Sequence, residues 1–180
     1  TISGATYSWT GPNSFTSTLQ NPTISNVTTN AAGPYSVIAI VPGCASSAAG
    51  TVSVIVNQTP AAPVAGSNST VCSGNDLSLT ASGTGVTYNW SGPNSFASSN
   101  QNPVITPAST IHSGTYSVTT TSAAGCISST ATTSVTINQT PIAPAAGSNS
   151  PVCSGQILSL TASSTGTTYS WSGPNGFTSA

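Results

Sequence analysis

A repeat of fixed length constrains this chain more than any other feature. Tyr7, Tyr88 and Tyr169 stand 81 residues apart, as do Trp9, Trp90 and Trp171, and Phe15, Phe96 and Phe177. The string Tyr-Ser-Trp-Thr-Gly-Pro-Asn-Ser-Phe from Tyr7 returns as Tyr-Asn-Trp-Ser-Gly-Pro-Asn-Ser-Phe from Tyr88. It returns again as Tyr-Ser-Trp-Ser-Gly-Pro-Asn-Gly-Phe from Tyr169. Asn57–Pro60 recurs as Asn138–Pro141, Val-Cys-Ser-Gly at Val71 recurs at Val152, and Tyr35 matches Tyr116. Self-similarity of this kind marks one structural unit copied in tandem. Residues 60–141 are expected to be a complete copy, 1–59 a copy without its front, and 142–180 a copy without its back. Residues 1–18 and 163–180 cover the same part of the repeat. That argues against neighbours swapping half-domains and favours a window on a longer covalent array.

Within the complete copy, short alternating runs are separated by turn signals. Leu77 and Leu79 fall on one face, Ser78 and Thr80 on the other. Period two is the mark of a half-buried strand. Val86, Tyr88 and Trp90 form a second inward set, Tyr116 and Val118 a third, and Val135 and Ile137 a fourth. The runs at Asn102–Thr106 and Ala62–Ala65 contain Pro103 and Pro63 and are expected at sheet edges, because proline cannot donate to a central ladder. Six or seven short strands with no helical period predict an all-β fold of tandem antiparallel β-sandwich repeats. The Gln-Thr-Pro joints, followed by Ala-Ala-Pro or Ile-Ala-Pro, predict stiff linkers.

Composition excludes several partners. There is no Lys or Arg, Asp76 and His112 are the lone acidic and histidine side chains, and charged residues make up 1% of the chain. An average domain has about 25%. Phosphate neutralisation needs cations, so no nucleic acid is expected, and no apolar run is long enough to insert this segment in a membrane. Disordered chains lack β-branched and aromatic residues. This one alternates Val, Ile and Thr, so it is expected to fold with a surface hydrated by hydroxyls and amides.

Cys72 and Cys126 share the complete repeat, one before its first clear strand and one after the Tyr116 strand. They are expected to form a structural disulfide, with free buried thiols or a metal site as the alternatives. Such a bond would close a loop of roughly 55 residues and contribute about 4 kcal/mol. Cys44 matches Cys126 with an offset of one residue, and Cys153 matches Cys72. Both would be left unpaired by truncation. A disulfide implies an oxidising compartment, hence an extracellular or cell-surface location.

Catalysis needs an acid, a base, a nucleophile or a metal within mutual reach. Asp76 is replaced by Ile157 in the next copy, and His112 aligns with Ala31. They read as turn and loop residues, so no enzyme, cofactor or metal is expected. Calcium between repeats would need several carboxylates. Tyr88, Trp90 and Tyr116 are expected as core aromatics, although a sugar-stacking platform is the competing reading of Tyr88 and Trp90. Phe96, after Gly92-Pro93-Asn94, is the aromatic to examine first for ligand contact. Sequons at Asn26, Asn57, Asn68, Asn89 and Asn138 are candidate glycan acceptors in a chain already rich in Asn, Ser and Thr.

The motif order is Val-Cys-Ser-Gly, Tyr-x-Trp-Ser-Gly-Pro-Asn-x-Phe, Ser-Gly-Thr-Tyr-Ser-Val, Gly-Cys and Asn-Gln-Thr-Pro. It resembles the Ig-like/PKD-like repeats of giant Bacteroidetes-type cell-surface adhesins, including gliding-associated ones. The resemblance spans the complete repeat and both partial ones. It implies secretion, a covalently continuous array, and an adhesive or filamentous role. It implies that Cys72 and Cys126 match the family's Cys pair and Trp90 its core Trp. The near absence of charge departs from many such proteins. The expected role is therefore a structural stalk or filament segment. Its partners would be neighbouring repeats of the same chain, and lateral self-association into fibres is compatible with it. The alternatives are a multivalent module binding carbohydrate or another surface, such as surface polysaccharide, or spacer domains of a secreted enzyme.

Overall fold

Alternating Val, Leu, Ile and Thr can bury one face only as extended chain. The computed structural model describes residues 4–164 and 168–180, which are strands and turns apart from three single-turn 3-10 segments. In residues 1–59 the strands are β1 (Thr6–Gly11), β2 (Phe15–Ser17), β3 (Gly33–Ile40) and β4 (Gly50–Val54). The complete repeat opens with β5 (Val64–Ser67), β6 (Val71–Cys72), β7 (Leu77–Ser82), β8 (Thr87–Gly92) and β9 (Phe96–Ser98). It continues with β10 (Val104–Ile105), β11 (Gly114–Thr121), β12 (Ala131–Val135) and β13 (Ile137–Asn138). The last residues carry β14 (Ala145–Ser148), β15 (Leu160–Ser163), β16 (Trp171–Ser172) and β17 (Thr178–Ser179).

Two antiparallel sheets face each other in the complete repeat, one ordered β10-β7-β5 and the other β12-β11-β8-β9. The strands β6 and β13 pair in parallel, with Val71 opposite Ile137 and Cys72 opposite Asn138. This is an immunoglobulin-type sandwich. The core lies between the sheets. Leu77, Leu79 and Ala81 contribute from β7, Trp90 from β8, Tyr116 and Val118 from β11, and Val135 and Ile137 from the last two strands. Trp90, Leu77, Leu79 and Tyr116 have no exposed surface. The Trp90 indole N–H donates to the Gln101 carbonyl at 3.2 Å, and the Gln101 side-chain amide donates to the Ala81 carbonyl at 2.8 Å. One residue thus satisfies the buried indole and ties the two sheets together.

The register repeats with the sequence. Trp90 opposite Ser98 and Gly92 opposite Phe96 match Trp9 opposite Ser17 and Gly11 opposite Phe15. Val64 opposite Ser82 matches Ala145 opposite Ser163.

Three details differ from the sequence reading. The complete repeat holds nine strands among the described residues, because the two-residue β6 and β13 and the three-residue β9 are too short to show a period. Val86, expected inside with Tyr88 and Trp90, is 67% exposed. It precedes β8, and only its backbone is engaged, donating to the Thr121 carbonyl. The run from Ser134 to Asn138 is not one strand. Val135 pairs with Gly114, whereas Ile137 pairs with Val71 and its N–H donates to the Ser113 hydroxyl. The chain changes partners at Thr136 while keeping both apolar side chains buried.

Trp90→Ala removes the largest core side chain and is expected to cost about 3–5 kcal/mol. Denaturant unfolding followed by tyrosine fluorescence and far-UV circular dichroism would read it. A loss under about 1 kcal/mol would mean the Trp90 site collapses freely.

Candidate functional site

The motif Trp-Ser-Gly-Pro-Asn-Ser-Phe forms the tight hairpin between β8 and β9. Asn94 and Ser95 have φ of 54° and 57°, and the Phe96 N–H donates to the Pro93 carbonyl. Two consecutive left-handed residues match the twist of paired strands, and Asn tolerates that region best among non-glycine residues. Asn13 and Ser14 repeat the geometry in the first copy. Gly92 is dictated by packing. A Cβ there would sit 2.4 Å from the Tyr116 ring, as one at Gly11 would from Tyr35.

Tyr116 is buried, and its hydroxyl donates to the His112 carbonyl at 2.8 Å. Tyr35 repeats the bond to the Ala31 carbonyl at 2.9 Å. A tyrosine hydroxyl reaching back over the corner that leads into its strand is an immunoglobulin-type feature. Phe96 packs edge-on against Tyr116 with ring centroids 5.4 Å apart. It is half-buried, and its ring faces the core as well as solvent. Tyr88 is also half-buried, with its hydroxyl directed to the Gly83 carbonyl. No flat aromatic platform therefore stands on this sheet.

Asp76 and His112 serve local structure. The Asn68 side chain donates to the Asp76 carbonyl and accepts from the Ser78 N–H, and Asn149 repeats both bonds around Ile157 and Ser159. The sequon nitrogen at Asn68 is thus committed to the fold. His112 closes a single 3-10 turn, and its Nδ1 accepts from the Ser109 N–H at 3.1 Å. Among the described residues, no three His, Cys, Asp or Glu side chains cluster as a metal site would require.

The cysteines do not pair as expected. Cys44, Cys72, Cys126 and Cys153 are all free thiols. Cys72 lies at the end of the sandwich where β11 begins. It is opposite Asn138, and the next N–H groups, Ser73 and Gly74, donate to Asn138 and Ala108. Cys126 lies at the end where β11 finishes, exchanging hydrogen bonds with Ser122 just after Thr121. Between them runs the eight-residue β11. That is about 25 Å of strand, against a Cα separation of about 7 Å at most for a disulfide. Sequence order placed the two in one repeat but did not show that they occupy opposite ends.

Trp9, Phe15, Tyr35, Val52 and Val54 line a groove of about 420 Å³ in the first copy. The counterparts of Trp9, Phe15, Tyr35 and Val54 in the complete repeat lie with Leu77 and Leu79 in a single packed core or on its flank. The groove is the inner face of a sandwich, and its apolar lining reflects that origin.

Each joint is bonded to a repeat end. Asn138 continues the chain as β13, its carbonyl accepts from the Ser73 N–H at 2.8 Å, and the Thr140 hydroxyl donates to the Ser73 carbonyl. At the preceding joint, Cys126 Sγ approaches the Asn57 carbonyl at 3.9 Å.

The match to a known family covers this unit. Residues 60–141 match the family described as Ig-like domain, CHU_C associated. The complete repeat is similar to the Ig-like domains of this family. Its members are structural or adhesion-type modules, typically non-enzymatic and extracellular. No helix among the described residues is long and apolar enough to cross a membrane. No curated protein sequence matches the chain. Among solved structures, murine CEACAM1b is 15% identical, with 75% of this chain and 85% of that one covered and a TM-score of 0.41. The amphioxus IgVJ-C2 molecule is 15% identical, with 76% and 90% covered and a TM-score of 0.38. The mouse nectin-like molecule 4 ectodomain is 11% identical, with 77% and 56% covered and a TM-score of 0.37.

Burial pushes the Tyr116 phenol up from its ordinary value. The unfolded chain then ionises first as pH rises, so this contribution to stability is intact below about pH 10 and is lost above it. Tyr116→Phe is expected to lose about 1 kcal/mol at neutral pH and to flatten the fall above pH 10. Gly92→Ala forces the Tyr116 ring aside and is expected to cost about 1–3 kcal/mol. Denaturation midpoints at pH 7 and across the alkaline range would check both. An unchanged midpoint for Gly92→Ala would show that the ring moves freely.

Proposed function

We propose that this chain is a segment of a stiff, extracellular stalk or filament built from tandem Ig-like repeats, of the kind that holds an adhesive surface protein away from its cell. The bonded joint carries the reading. The linker after the complete repeat begins as β13 and is held to Ser73 by two hydrogen bonds. Prolines at Pro141 and Pro144 restrict the backbone that follows. A joint of this kind resists bending where a Gly/Ser linker would not. Repetition of one unit suits a spacer. The absence of Lys and Arg leaves no cleavage sites for trypsin-like proteases.

A binding-module role is less well supported. Trp90 and Tyr116 are wholly buried, and Phe96 leans on Tyr116. None of the three offers the open ring face that sugar stacking uses.

Electron microscopy of the native protein, on its cells and released from them, tests the proposal. Eight-residue strands with a four-residue joint predict beaded rods with a bead about every 4 nm. Compact isolated particles would overturn the stalk reading. Glycan binding by the chain at millimolar or tighter affinity would favour the binding-module alternative.

A further inference from the structure

The two joints each display half of one arrangement. At the joint after the complete repeat, β6 sets Cys72 directly opposite Asn138, and the neighbouring Ser73 N–H binds the Asn138 carbonyl at 2.8 Å. At the joint before it, the turn after β11 sets Cys126 Sγ 3.9 Å from the Asn57 carbonyl. Asn57 and Asn138 are the same repeat position, 81 residues apart. Carried forward by one period, the Cys126 of a following repeat stands beside the Asn138 carbonyl. Cys72 of the preceding repeat is already there, one strand spacing away, about 5 Å. A carbonyl oxygen has two lone pairs and accommodates both neighbours.

We infer that consecutive complete repeats are locked by an inter-repeat disulfide, joining Cys72 of one repeat to the Cys126 counterpart of the next across the shared Asn of the joint. The same rule accounts for the four thiols present. Cys44 and Cys126 are of the type that reaches back to the preceding repeat, and Cys72 and Cys153 of the type that reaches forward. No backward and forward member of one joint coexist in residues 1–180. Cys72 is exposed and Cys126 partly so, which leaves the joint open to oxidation. Two S–H bonds break and one S–S bond forms. The two electrons pass by thiol–disulfide exchange to an oxidised low-molecular-weight or protein disulfide, whose own S–S bond breaks, and the two protons pass through solvent to the same sulfurs, so that it becomes two thiols.

This inference rests on the tandem-array reading, but the two fail separately. Compact particles under the microscope would sink the array, whereas extended rods with unpaired cysteines would sink the disulfide alone. The test uses the full chain with a second copy of residues 61–141 inserted after Pro141. It is refolded in a glutathione redox buffer, alkylated and mapped by mass spectrometry without reduction. One new disulfide is expected, between Cys72 of the first copy and Cys126 of the second. Cys126→Ser in the second copy should abolish it and expose Cys72 to alkylation, while Cys126→Ser in the first copy should leave it intact. Complete alkylation of every cysteine, or loss of the bond on changing the first copy, overturns the proposal. If the lengthened chain does not fold, the native protein alkylated at harvest gives the same answer. Val-Cys-Ser-Gly peptides should be linked to Gly-Cys peptides of the following repeat, and linkage within one repeat, or none, overturns it.

Discussion

Tyr116 sets the geometry around which the rest of the sandwich is arranged. Its ring lies across Gly92, its edge meets Phe96, and its hydroxyl holds the His112 carbonyl. Each contact fixes a neighbour. The ring leaves no room for a side chain at residue 92, so β8 ends in glycine. The hairpin beyond must turn at once to bring Phe96 back over the ring, and two consecutive left-handed residues achieve that here. Gly114, at φ 139°, enters the same strand with Pro93 packed against it. The repeated string from Trp to Phe is thus the imprint of one aromatic ring on the chain that surrounds it. Tyr35 leaves the same imprint 81 residues earlier.

Much of this was legible because it is periodic. The inward positions Leu77, Leu79, Trp90, Tyr116, Val118, Val135 and Ile137 follow from alternation, and all are buried. Alternation fails where a strand is two residues long or where the chain changes partners, as at β6, β13 and Thr136. It also fails at Val86, where the period runs one step past the strand. The cysteines were misread for a different reason. Position along a chain does not say which end of a sandwich a loop occupies. That depends on strand direction, and β11 carries the chain from the Cys72 end to the Cys126 end. Nothing in the local residues near Cys126 marks the joint it faces, because its neighbour Asn57 lies 69 residues away.

The chain is also held together without charge. Asp76 is the lone side-chain carboxylate and there is no Lys or Arg, so no carboxylate pair with Lys or Arg can form. Polar groups are met by neutral partners instead, although the buried Thr120 Oγ1 and Trp9 Nε1 have none. Gln101 serves Trp90 and Ala81, and Ser128 exchanges hydrogen bonds with Thr120, as Ser47 does with Ala39. Such bonds are short-range, and salt does not screen them as it screens surface charges. Packing held in this way is insensitive to ionic strength, and solubility depends on Ser, Thr and Asn hydration.

In the proposed rod the weak point is the joint, where each repeat would meet the next through a few residues. Two hydrogen bonds to Ser73 hold the start of the linker to its own repeat, and each is worth about 1 kcal/mol net. Loss of both would raise the population with the linker detached by roughly thirtyfold at most, by the usual tenfold for each 1.4 kcal/mol. A covalent link at the same place removes the opening altogether without enlarging the core. Cysteines at opposite ends of each repeat, useless to a single domain, are where a chain of domains gains most from them.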